Sequence, residues 1–108
     1  MSDAANWVRV AGASEVGEGE IKAVEVQGES LALYRLEGDE WRCTSNVCTH
    51  AFALLSDGWL EDGVIECPLH AGQFDVLTGK ALCPPVEKDI EVFDVRVSGD
   101  DIEVNLPG

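Results

Sequence analysis

A chain of 108 residues and 11.6 kDa, 45% apolar and 26% charged, suits one domain with one compact core, and this composition excludes a disordered or fibrous chain. Seven Lys and Arg stand against 21 Asp and Glu, a formal charge of −14 that repels phosphate backbones and anionic lipid, so neither nucleic acid nor a membrane is an expected partner. The longest apolar runs, such as Ala51 to Leu55, fall far short of the about 20 residues of a membrane span, and Met1 to Trp7 lacks a basic region followed by an apolar stretch; the reading is cytoplasmic.

Strands are predicted in chain order at Trp7 to Ala11, Ile21 to Val26, Leu31 to Leu36, Trp41 to Thr44, Val64 to Cys67, Ile90 to Val97 and Ile102 to Leu106, each β-branched or alternating in polarity. Between them stand turn signals: Gln27-Gly28-Glu29, Glu37-Gly38-Asp39, Asp57-Gly58, Glu61-Asp62-Gly63, Thr78-Gly79-Lys80 and Ser98-Gly99-Asp100-Asp101. Short strands joined by tight turns predict an all-β, antiparallel sandwich or barrel. Helix is expected only as a single turn near Ser14-Glu15-Val16. Residues 44–85 differ from both flanks, holding both histidines, three of the four cysteines and three of the four prolines. They read as a site-bearing subdomain set into one domain, residues 1–108, whose scaffold comes from the N- and C-terminal strands.

Four cysteines in a cytosolic chain favour metal binding over disulfides. Cys48-Thr49-His50 is followed, after 16 intervening residues, by Cys67-Pro68-Leu69-His70, giving two short hooks, each with one thiolate and one imidazole. A Cys and a His so close on one loop can turn both side chains to the same point, and two such loops can clasp a small inorganic centre. Two thiolates on one iron and two imidazoles on the other make a Rieske [2Fe-2S] centre. A structural Cys₂His₂ zinc site uses the same ligand types. Zinc motifs, however, usually group their cysteines and their histidines, whereas these alternate, and the chain has no helix to carry a finger's histidines.

These hooks, with Ala71-Gly72-Gln73-Phe74-Asp75 after the second, resemble those of the Rieske ferredoxins of bacterial aromatic-ring dioxygenase systems. The likeness spans nearly the whole chain, including Leu55-Ser56-Asp57-Gly58, Thr78-Gly79-Lys80-Ala81-Leu82 and Pro84-Pro85. It implies a Rieske-type β-sandwich or barrel, one [2Fe-2S] cluster per chain held by Cys48, His50, Cys67 and His70, and a third loop around Pro84 and Pro85 covering the cluster. It also implies a monomer that docks transiently, at the tip bearing His50 and His70, with a ferredoxin reductase, expected to be a flavoprotein, and with a terminal ring-hydroxylating oxygenase.

Respiratory Rieske proteins resemble the chain too, but carry a further Cys in each hook, joined as a disulfide, and hydroxyl residues after the second hook that bond the cluster and its ligand sulfur. The corresponding positions here are Ala53 and Leu69, and Gly72 and Phe74. Hydrogen bonds to sulfur stabilise the reduced centre, so their loss implies a low potential, near the bottom of the span of about −150 to +300 mV.

The expected function is single-electron transfer, with no catalytic residues and no substrate chemistry. An oxygenase needs two further histidines for a mononuclear iron, and both histidines are already spent. Alternatives are a small iron-sulfur subunit of another oxidoreductase, such as a nitrite reductase, and the zinc module. Cys43 and Cys83 are expected as thiols, with a disulfide between them the lesser alternative. Phe52 is a candidate partner contact, and Ala51, Gln73 and Pro85 complete an expected rim around the histidines. Trp7, Trp41 and Trp59 are expected in the core or on sheet faces, and Asp75 as a turn acceptor. The acidic Asp57, Glu61, Asp62 and Glu66 between the hooks lean toward a role in steering partners.

Overall fold

In a computed structural model the chain is described over residues 6–49, 53–69, 72–83 and 88–106. Among the described residues eleven strands follow in chain order: β1 (Trp7–Gly12), β2 (Ile21–Val26), β3 (Glu29–Leu36), β4 (Glu40–Ser45), β5 (Trp59–Glu61), β6 (Val64–Glu66), β7 (Gln73–Asp75), β8 (Ala81–Cys83), β9 (Val92–Phe93), β10 (Val95–Ser98) and β11 (Asp101–Asn105). All pairings among them are antiparallel, in three sheets ordered β1-β11-β10, β2-β3-β4-β9 and β5-β6-β7-β8. The expected all-β antiparallel class is therefore found. Helix among the described residues is limited to single 3-10 turns at Ala13–Glu15 and Leu55–Asp57.

Strand β3 sits between two cores because both of its faces are apolar. Leu31 and Leu33 point into a cluster with Ala11, Val16, Trp41, Cys43, Ile102, Val104 and Leu106. Ala32 and Tyr34, on the opposite face, join Cys48, Leu55, Ile65, Cys67, Phe74, Val76 and Ile90. All four β3 side chains are fully buried. A strand side chain alternates faces with period two, so one continuous apolar run serves both layers. The hydroxyl of Tyr34 meets Thr44 Oγ1 on neighbouring β4 at 2.8 Å, which keeps both buried polar atoms paired.

The expected strand Ile90 to Val97 is broken at Asp94: β9 pairs with β4, whereas β10 pairs with β11 in another sheet. The chain changes sheets there, and the Asp94 carbonyl accepts the Asn105 N–H at 3.0 Å. Strands β5, β7 and β8 are three residues each, too short for alternation to register in sequence. Strands β5 and β6 meet at Asp62 and Gly63, both at positive φ, a two-residue turn matched to the twist of a tight hairpin. Trp41 is buried as expected, but Trp59 is 62% exposed on β5, the outer strand of its sheet.

Cys43 is buried in the first core and forms no disulfide, so the thiol reading holds and the Cys43–Cys83 bridge does not form. Burial pushes its thiol up from 9.0 to about 12. A raised folded pKa contributes stability that is complete below the unfolded value and is lost as pH climbs from 9.0 toward about 12. Chemical denaturation across this range is expected to show stability falling above pH 9.0, with a shallower fall in Cys43→Ala. An identical slope in the variant would refute this role.

Candidate metal centre

The two hooks are built alike. Val47 bridges to Leu54, and within the loop so defined the Cys48 N–H donates to the Ala53 carbonyl at 2.9 Å. Glu66 pairs with Gln73 across β6 and β7, and the Cys67 N–H donates to the Gly72 carbonyl at 2.7 Å. Each cysteine therefore opens a loop closed onto the residue five positions later. A side-chain bond from Gln73 Nε2 to Glu66 Oε1, 3.0 Å, fastens the base of the second loop.

Both cysteines are buried in the same core, and their side chains approach within hydrogen-bonding reach. Burial pushes the Cys67 thiol up to about 11, the Leu69 N–H bonded to its sulfur pulls it down, and neighbouring Cys48 raises it again. Two facing sulfurs out of water, one already accepting an amide N–H, are a donor pair that could hold a metal, since a bound cation favours the thiolate. His50 and His70 stand within the two closed loops in sequence, and lie outside the described residues, as do Ala51, Phe52, Pro84 and Pro85.

The first hook is held from below by Asn46, whose importance the sequence reading missed. Asn46 is buried; its Nδ2 donates to Ser56 Oγ at 3.0 Å, its Oδ1 accepts the Ser56 N–H at 2.7 Å, and its carbonyl accepts the Leu55 N–H at 2.8 Å. These bonds tie Asn46, two places before Cys48, to Leu55 and Ser56 on the far side of the first hook. The signal was a polar residue two places before Cys48, with a hydroxyl partner in Leu55-Ser56-Asp57-Gly58. That motif also links the hooks: a β-carbon on Gly58 would lie 2.0 Å from the Glu66 carbonyl oxygen, one residue before Cys67. Only glycine permits this approach. Asp75 acts as expected, its Oδ1 accepting the Leu77 N–H at 2.8 Å in the turn after β7.

The positions matching the respiratory disulfide hold a half-buried Ala53 and a largely exposed Leu69. Phe74 is fully buried between the two cysteines' neighbours, packed in their core and offering no hydroxyl. Of the carboxylates between the hooks, Asp57 borders them, beside Val47, Ala53, Leu54, Pro68 and Leu69. Glu61 and Asp62 instead lie at the far end of the β5–β6 hairpin from Cys67, in a hollow with Glu37 and Glu40.

Fold, facing thiols and closed loops define an iron-sulfur domain of the Rieske class. Residues 6–94 match the Rieske [2Fe-2S] domain family, and the chain belongs to that family. It is 49% identical over 92 residues to a ferredoxin component of naphthalene 1,2-dioxygenase/salicylate 5-hydroxylase systems from a Ralstonia species, covering 85% of this chain and 88% of the relative. A naphthalene 1,2-dioxygenase ferredoxin component from Pseudomonas aeruginosa is 45% identical over 100 residues, covering 93% and 95%. Among solved structures, the complex of reduced oxygenase and oxidized ferredoxin in carbazole 1,9a-dioxygenase contains a chain that superposes with a TM-score of 0.85 at 39% identity, covering 92% of each chain. The group this family carries is a Rieske-type [2Fe-2S] cluster, and the paired, buried sulfurs of Cys48 and Cys67 fit it.

Asn46→Ala leaves the Ser56 N–H and hydroxyl without their buried partner, so denaturant unfolding is expected to show a loss of about 2–3 kcal/mol. A loss below about 0.5 kcal/mol, the level of an indifferent surface change, would show that the loop does not depend on it.

Proposed function

We infer that this protein is a low-potential Rieske ferredoxin that carries single electrons from a reductase to the terminal oxygenase of an aromatic-ring-hydroxylating dioxygenase system. The observation that carries the reading is the pair of equivalent closed loops that present two buried, facing cysteines. Cys48 and Cys67 are the sulfur ligands, and His50 and His70 complete the set from the same two loops. The cluster, when bound, takes up and releases one electron. The chain contributes burial of the sulfurs, the Leu69 N–H on Cys67, and the backbone bonds from Cys48 to Ala53 and from Cys67 to Gly72. The cluster-binding unit spans about residues 44–85 within a single domain, and the protein works as a cytoplasmic monomer. No described helix is long and apolar enough to cross a membrane.

Docking is proposed at the hook end. Val47, Leu54 and Leu69 are 45%, 42% and 40% exposed and share one surface with Pro68 and Asp57, immediately beside the two cysteines. An exposed apolar patch with a charged rim is what a transient protein contact requires. Among the described residues Arg9, Lys22, Arg35, Arg42 and Arg96 each face a carboxylate, so the excess acid is left to attract a basic partner surface. Coupled electron transfer from the reductase through this protein to the oxygenase tests the reading. Leu54→Lys is expected to slow it about tenfold with the visible spectrum unchanged, whereas Val97→Lys, on the distant β10, leaves it unaffected. Failure of the unmodified protein to deliver electrons would overturn the function; equal rates for both variants would move the docking surface elsewhere.

The low potential follows from missing hydroxyls at Gly72 and Phe74. Gly72→Ser combined with Phe74→Tyr is expected to raise the midpoint measured by voltammetry. An unchanged or lower midpoint in a correctly assembled protein would contradict this cause.

A further inference from the structure

Residues 88–92 are stitched alternately to the two halves of the site. On the first-hook side, Thr49 Oγ1 donates to the Lys88 carbonyl at 2.9 Å, the Ser45 N–H donates to the Glu91 carbonyl at 2.9 Å, and Val92 pairs with Thr44 on β4. On the second-hook side, the Ala81 N–H donates to Asp89 Oδ1 at 2.9 Å, and the Ile90 N–H donates to the Gly79 carbonyl at 2.7 Å. Gly79 sits at φ +81, and a β-carbon there would lie 2.1 Å from the Ile90 carbonyl oxygen, so the strap presses on backbone alone. Ile90 itself is buried in the core that holds both cysteines. Between the strap and β8 run residues 84–87.

We propose that residues 88–92 form a strap that fixes the separation of the two ligand loops, and that the Thr49 hydroxyl is its clasp on the first loop, making Thr49 a positioning residue for the cluster. The hooks are not joined covalently, since Ala53 and Leu69 occupy the places a bridge would need. The strap's bonds to β4 would hold Lys88 near the first hook even without Thr49, but the hydroxyl attaches the strap to the ligand loop itself, between Cys48 and His50 in sequence. Asp89 makes the corresponding attachment on the second side, through β8.

The inference rests on the ligand assignment above, and its test keeps the two apart. Purified holo-protein and its Thr49→Val, Thr49→Ser and Asp89→Ala variants are exposed to a chelator, and bleaching of the visible cluster absorbance is followed, with electron paramagnetic resonance linewidths of the reduced forms. One lost hydrogen bond at each clasp is expected to speed bleaching roughly three- to tenfold in Thr49→Val and Asp89→Ala and to broaden their signals, while Thr49→Ser matches the parent. Bleaching of Thr49→Val at the parent rate with an unbroadened signal overturns the proposal, as does a Thr49→Ser variant as impaired as Thr49→Val. Should Thr49→Val fail to assemble a cluster, Asp89→Ala decides: faster bleaching upholds the strap, and the parent rate overturns it. Absence of a Rieske signal in the parent protein would defeat the ligand assignment instead.

Discussion

Two cysteines 19 positions apart in sequence have to meet out of water. This constraint organises the rest of the molecule. Cys48 and Cys67 are buried in one core, and each immediately commits its N–H to closing its loop, so the sulfurs are fixed where the backbone leaves the sheet. Burial raises the cost of the thiolate, as the upward displacement of Cys67 shows, and that cost is offset only when a cation arrives. A metal bound through these two sulfurs would stabilise the folded chain.

The second core lets the site be held this firmly. Strand β3 is buried on both faces, so the cysteine-bearing layer is laid on a sheet whose reverse is covered by β1, β10 and β11. The small sheet of β5 to β8 has strands of only three residues, and strands so short need such support. Its links to the rest are specific contacts: Asn46 to Ser56, Gly58 against Glu66, and the strap from Lys88 to Val92. Charge is arranged with similar economy. Arg9, Lys22, Arg35, Arg42 and Arg96 face carboxylates on the scaffold, and the hook end shows an apolar surface edged by Asp57.

Much of this was legible in the sequence. The alternating Cys and His pairs pointed to the cluster family, and strands β1 to β4 and β11 were located to within about two residues because their apolar pattern is long enough to read. Strand β6 was located too, but β5, β7 and β8 were not: each has three residues, too few to show a period, and is held in place by pairing, β5 and β7 with β6 and β8 with β7. The break at Asp94 was invisible because both sides are apolar β-formers, although they serve different sheets. Trp59, expected in the core or on a sheet face, is on the sheet β5-β6-β7-β8 and largely exposed, since its strand is the outermost there. The acidic stretch between the hooks looked like one patch and is divided, with Asp57 at the hooks and Glu61 and Asp62 at the opposite turn, because the β5–β6 hairpin carries the latter away. Asn46 and Thr49 act through partners 10 and 39 positions distant, pairings no local pattern announces.

The central claim is that the two loops deliver two sulfurs and two imidazoles to one diiron cluster. Electron paramagnetic resonance of the reduced, purified protein tests it most directly. The account predicts a Rieske signal with an average g below that of an all-cysteine [2Fe-2S] cluster; an all-cysteine signal, or a colourless protein containing zinc, would contradict it.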